Sequence, residues 1–100
     1  MVVRGIVMDI LSVSDNVKQV IIRVKKDEVY LPVSFTAFQN IIILMNQINL
    51  VKGDGVKITY YLKSKKFENK YSTSAIIEKL SITNKLNTLN LVDLETGEYI

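Results

Sequence analysis

Lysines and aromatic rings alternate along one stretch of this chain. Lys57, Thr59, Tyr61, Lys63, Lys65 and Phe67 fall at every second position. On an extended strand that spacing places all six on one face. Such a row is suited to binding: ammonium groups follow a polyanion, and flat rings accept planar groups by stacking. Lys66, Lys70 and Tyr71 follow directly, and Arg23, Lys25, Lys26 and Tyr30 form a shorter cluster upstream. The expected contact set is therefore Tyr61, Phe67, Tyr71 and Tyr30 as platforms, with Lys57, Lys63, Lys65, Lys66, Lys70, Arg23 and Lys25 as cations. Plainer readings compete residue by residue. Tyr30 can cover the strand edge at Pro32, and Tyr61 and Phe67 can cap the edge of a hairpin. Tyr60 shares its face with Ile58 and Leu62 and is expected in the core.

Other chemistry is hard to build from this composition. There is no histidine and no cysteine, which removes the commonest general base, the commonest transition-metal ligands and any disulfide. Glu68 and Glu78 are the only carboxylates near the lysine row. Each sits beside lysines as a charge partner, at no spacing that suits paired acid–base work. Gly53-x-Gly55 is too short for a phosphate-cradling loop. The expectation is a binding module with no enzyme activity, no cofactor and no metal.

All thirteen Lys and Arg residues lie at or before Lys85, against seven acidic residues in positions 1–90, so that stretch carries +6. Asp93, Glu95 and Glu98 give the last ten residues −3. A basic body suits a polyanionic partner, and an acidic end can compete with that partner or dock other proteins. The N-terminus lacks the basic, apolar and small-residue regions of a signal peptide. The longest apolar run, residues 41–45, is far short of the roughly 20 residues that cross a bilayer. A cytoplasmic protein with no membrane partner is expected, in the host cytoplasm if the source is viral.

The elements that must position these residues follow from hydrophobic period. Residues 2–11 read as a first strand, ended by a turn over residues 12–16. In residues 17–25, Val20, Ile22 and Val24 face one way and Gln19, Arg23 and Lys25 the other, the mark of a half-buried strand. Residues 29–35 repeat the alternation, with Pro32 at an edge because it cannot donate to a ladder. Thr36-x-x-Gln39 then reads as a capping box. Behind it Phe38, Ile41, Ile42, Met45 and Ile48 form an apolar helical stripe, and Gly53-Asp54-Gly55 supplies a sharp turn.

Residues 56–66 and 72–82 form a hairpin. Pairing Phe67 with Tyr71 places Val56 opposite Ile82, Ile58 opposite Leu80 and Leu62 opposite Ile76, three apolar pairs that a one-residue slip loses. It also places Tyr71, Thr73, Ala75, Ile77 and Lys79 on the lysine face. Three strands, a helix and two strands is the order of a mainly β, five-stranded OB-type Greek-key barrel, with its helix between strands three and four. It spans residues 1–85; residues 86–100 form an acidic, partly apolar extension, expected as a further strand.

With that layout the chain resembles the OB-fold single-stranded-DNA-binding proteins, the small ones of phages and mobile elements in particular. The likeness covers about residues 2–82. It is carried by Arg4-Gly5-Ile6-Val7 in the first strand, by Val51-Lys52-Gly53-Asp54-Gly55-Val56-Lys57-Ile58 leading into the fourth, and by Lys63-Ser64-Lys65-Lys66-Phe67-Glu68-Asn69-Lys70-Tyr71 between the fourth and fifth. The chain departs from those relatives in having no tryptophan and no long acidic tail. The resemblance implies sequence-nonspecific binding of single-stranded DNA in replication, recombination or repair, by a homo-oligomer whose tail contacts replication or recombination proteins. RNA is an alternative ligand. A further alternative is an oligomerising interaction or structural module built on Ile43 and Leu44 with Leu89, Leu91, Val92, Leu94, Tyr99 and Ile100.

Overall fold

A computed structural model describes residues 1–85 of the chain. The expected extra strand and the apolar residues beyond position 85 lie outside the described residues. Strands β1 (Val2–Ser14), β2 (Val17–Lys26) and β3 (Val29–Ala37) precede helix α1 (Gln39–Gln47), and β4 (Gly55–Phe67) and β5 (Lys70–Asn84) follow it. The strands close into one barrel in the order β1-β2-β3-β5-β4, with β4 returning to pair with β1. All neighbours are antiparallel except β3 and β5, which meet in parallel at Thr36 and Ile76. This is the expected OB barrel.

The alternation read from sequence builds the interior. Val20, Ile22, Val56 and Ile58 are wholly buried, and Phe35 is nearly so. Tyr60 packs its ring edge-on against Phe35, at 5.0 Å between centroids and 68° between planes. Helix α1 turns Ile41, Ile42 and Met45 onto this core. Its C-terminus is a Schellman motif: Leu50 N–H donates to the Met45 carbonyl and Asn49 N–H to that of Asn46, with Asn49 at a φ of 54°. Asparagine tolerates that left-handed conformation, and the buried Leu50 supplies the apolar contact that accompanies it.

The start of α1 differs from expectation. Phe38, not Thr36, is the N-cap residue, and no side chain caps the helix. Thr36 still belongs to β3, where its hydroxyl accepts a hydrogen bond from Gln19 Nε2 at 3.1 Å. The cross-strand partner wins because β3 keeps pairing with β2 as far as Ala37. Phe38 consequently leaves the core stripe and is 43% exposed. β1 also outruns its expected end by three residues, so its turn is only Asp15-Asn16.

The hairpin β4–β5 is paired as expected near the barrel and differently above it. Val56 faces Ile82 and Ile58 faces Leu80, but Thr59 faces Lys79 while Tyr60 faces Ile77. Glu78 is thus an extra residue on β5, a bulge that shifts everything beyond it by one. Leu62 therefore lies opposite Ala75 rather than Ile76, and Phe67 opposite Lys70 rather than Tyr71, across the two-residue loop Glu68-Asn69. Beyond Tyr60 both faces of β4 are exposed, Leu62 included, because the hairpin runs past the barrel as a free arm.

Candidate functional site

The outer face of the barrel assembles one basic groove from all five strands. On β2 the inward turn of Val20 and Ile22 leaves Arg23 and Lys25 outward, and Lys25 pairs directly with Tyr30 on β3. The Arg23 guanidinium lies over the Tyr30 ring, 4.8 Å from its centroid, a cation–π arrangement that orients both groups. β1 brings Arg4 into the same groove, beside Ile6 and the backbone of Gly5, Gly53 and Gly55. The groove measures about 360 Å³, and among the described residues no carboxylate lines it. Arg4 also stands directly opposite Lys57 on β4. Like charges so placed destabilise a sheet, and an anion bound between them would relieve the repulsion.

The close approach of β1 to β2 makes this groove possible. A Cβ at Gly5 would lie 2.6 Å from the Arg23 carbonyl oxygen and 3.2 Å from Ile22 Cδ1. Only a residue without a side chain lets the strands coil this tightly under Arg4 and Arg23.

A second groove, of about 300 Å³, lies where the arm leaves the barrel. Lys63 and Lys65 line it from β4, Ser72, Ser74 and Ile76 from β5, and Thr36 and Phe38 from the end of β3 and the cap of α1. Among the described residues it too has no carboxylate in its lining. Two of its lining residues are apolar: Ile76 is buried, while Phe38 stays exposed. A ring, two ammonium groups and three hydroxyls around one concavity can hold a planar group and an attached anion together.

The bulge at Glu78 decides which expected residues share a surface. Paired residues of an antiparallel ladder point the same way. Tyr61, Lys63, Lys65 and Phe67 therefore lie with Ile76, Ser74, Ser72 and Lys70. Tyr61 is 47% exposed and Phe67 70%. Tyr71, Thr73, Ala75 and Ile77 lie on the other face, with Lys66, Ser64, Leu62 and Tyr60. There Lys66 Nζ sits 5.9 Å from the Tyr71 ring centroid. The expected single surface is thus two: the arm separates Tyr71 and Lys66 from the other candidates.

Sequence reading missed Arg4 and Phe38. Arg4 is legible in retrospect, because Val3, Gly5 and Val7 turn inward and leave it outward. Phe38 carried the opposite signal, since it matches the helical stripe in period. Among the described residues there is no cluster of three or more His, Cys, Asp or Glu side chains able to hold a metal ion. No helix there is long and apolar enough to cross a membrane.

No known protein family and no curated protein matches the sequence. Solved structures do share its architecture. The N-terminal domain of PriB from Thermoanaerobacter tencongensis, a dimeric structure, matches 85% of this chain over 96% of its own length, with 21% identity and a TM-score of 0.66. The mitochondrial single-stranded DNA binding protein Rim1 of S. cerevisiae matches 85% of the chain in two crystal forms. One gives 16% identity over 95% of its length with a TM-score of 0.64, the other 11% over 94% with 0.61. At such identities the likeness establishes a common OB barrel.

Proposed function

We propose that this chain binds single-stranded DNA without base preference, as a replication, recombination or repair protein. The observation that carries the reading is the Tyr30 ring, stacked by Arg23 at 4.8 Å, paired with Lys25, and set in a groove where Arg4 adds a third cation with no carboxylate. The outer face of strands two and three is where OB barrels take oligonucleotides. That Rim1, which shares the fold, is a single-stranded DNA binding protein supports the same ligand.

Phosphates lie along Arg4, Arg23, Lys25 and Lys57, and along Lys63 and Lys65 in the second groove. Bases stack on Tyr30 and Phe38, with Tyr61 and Phe67 extending the platform along the arm. Tyr30 keeps 55% of its surface exposed with Arg23 in place, so a base and its phosphate are gripped side by side. Stacking on a ring needs no base-edge code, and the binding is accordingly tolerant of sequence.

Titration of a fluorescent oligo-dT at two salt concentrations tests the proposal. Affinity should fall by about 0.7 log units per log salt for each phosphate neutralised. No binding at micromolar protein in low salt would leave a protein-interaction module as the better reading. The same titration with oligo-rU separates DNA from RNA, which differ at this surface by the 2′-hydroxyl.

A further inference from the structure

The bulge at Glu78 gives the arm two faces, and the grooves use only one of them. That face carries Tyr61, Lys63, Lys65 and Phe67 and continues the path of the second groove. The other carries Tyr71 and Lys66, with Leu62, Ser64 and Thr73 beside them. It repeats the unit found in the first groove. Lys66 Nζ lies 5.9 Å from the Tyr71 ring centroid, as the Arg23 guanidinium lies 4.8 Å from that of Tyr30. Ser64 and Thr73 share a hydroxyl–hydroxyl hydrogen bond of 2.9 Å, which ties the two strands of the arm together across this face. Leu62, Lys66 and Tyr71 are all exposed and take no part in the core.

We infer that this face takes a second single strand, so that the arm sits in the fork where two strands diverge from a duplex. The inference rests on the single-stranded DNA reading above and names the form of DNA that the arm selects. One strand follows the grooves and the face of Tyr61 and Phe67. Its former partner passes over Tyr71, with a phosphate against Lys66 and the apolar side chain of Leu62 under a base or sugar. Phe67, exposed at the tip of the arm, stacks on the last base pair of the duplex.

Ring placement and charge favour a fork over other forms of DNA. In a duplex each base is covered by its neighbours above and below, so rings exposed on two opposite faces suit unpaired bases on both. The two strands of the arm, residues 61–67 and 70–75, hold four lysines and no Asp or Glu. Cations on both sides of a slender ribbon, roughly 20 Å long from Tyr61 to Phe67, match a phosphate chain on either side. The arm's one carboxylate, Glu68, stands in the loop at its tip. Were the arm to enter the groove of a duplex, Glu68 would lead it between two walls of phosphate. A single strand serving both faces would have to turn back past the same carboxylate. The end of a duplex instead offers Phe67 the uncharged face of a base pair.

Fluorescence anisotropy at one salt concentration tests the inference with five probes. These are a duplex with oligo-dT tails on both strands, the same duplex with either tail alone, the blunt duplex, and an oligo-dT as long as both tails together. The fork should bind at least about fivefold more tightly than each of the others, the worth of one further stacked base. Tyr71→Ala with Lys66→Gln should abolish that preference and leave oligo-dT binding in place. Tyr71→Phe keeps the ring and should retain the preference. Each of four results overturns the inference. A single-tailed duplex as good as the fork would leave the second face idle, and an oligo-dT as good would mean that one strand serves both faces. A blunt duplex as good would place the arm in a groove. A preference that survives Tyr71→Ala with Lys66→Gln would put the second strand elsewhere. Failure of the single-strand reading itself looks different, since then oligo-dT does not bind, whereas oligo-dT bound with no preference for the fork rejects the fork alone.

Discussion

The ammonium of Lys85 lies 2.6 Å from a carboxylate oxygen of Asp54, a residue with no solvent exposure. The same ammonium donates to the Asn49 carbonyl, and the same carboxylate oxygen accepts Val51 N–H at 3.0 Å. The pair thus pins the end of β5 to the loop between α1 and β4. Lys85→Met removes the ammonium from beside a buried carboxylate, and breaking such a pair from one side costs about 3 kcal/mol. Urea unfolding should show a correspondingly lower midpoint with little change in slope. Adding Asp54→Asn to that variant should recover part of the loss, because the buried negative charge is then gone. A midpoint unmoved by Lys85→Met would mean the pair is dispensable.

Gly5→Ala should destabilise the barrel by about 1–3 kcal/mol, the usual cost of overpacking. The added methyl meets a backbone oxygen, that of Arg23 at 2.6 Å, and backbone yields less readily than a side chain. Since the strain falls between β1 and β2, nucleic-acid affinity should drop as well, through displacement of Arg4 and Arg23. Thermal unfolding and an oligo-dT titration on the same sample check both effects. Full affinity with lowered stability would detach the first groove from binding.

The turn between β2 and β3 is strained in a correctable way. Asp27 and Glu28 have φ of 49° and 71°, the two positive values of a type I′ hairpin turn. Glutamate is poorly suited to that region, whereas Asn-Gly is the pair the turn favours. Asp27→Asn with Glu28→Gly should raise stability by about 1 kcal/mol, or roughly 4–8 °C in midpoint for a domain of this size. Calorimetry reads the shift directly.

Strand number, strand order and the place of the helix were all legible, because alternation and helical period are set by which side chains must leave water. Val20, Ile22, Val56 and Ile58 read as inward and are wholly buried. The bulge was not legible. Ile76 and Ile77 are consecutive and both are buried, and two apolar residues in sequence fit either register. An apparent pairing of Leu62 with Ile76 therefore looked better than the true one, in which exposed Leu62 meets half-buried Ala75. The grooves were legible only in part. Arg23, Lys25 and Tyr30 were recognisable as a cluster along the chain, but Arg4 joins them only through pairing of β1 with β2. Thr36 and Gln39 match a capping box in type, yet the Thr36 hydroxyl is taken by Gln19 across the sheet.

Division of the arm into two faces makes a sharp prediction about its aromatics. Phe38 and Tyr30 sit in concave, carboxylate-free grooves beside two or more cations. A stacked base lost at either is worth about 1–3 kcal/mol, so Phe38→Ala and Tyr30→Ala should each weaken oligo-dT binding about 5- to 150-fold. Both side chains are substantially exposed, and folding should be little affected. Tyr71 is more exposed still, at 71%, but it lies on the far side of the ladder from Lys63 and Lys65, with Lys66 against its ring. A strand following the grooves does not reach it, and Tyr71→Ala should change affinity by less than about 3-fold, short of one stacked base. If Tyr71→Ala proved the most damaging of the three, the path would run over the other face of the arm, through Leu62, Ser64 and Lys66. Affinity measured for the three variants at one salt concentration distinguishes the two paths.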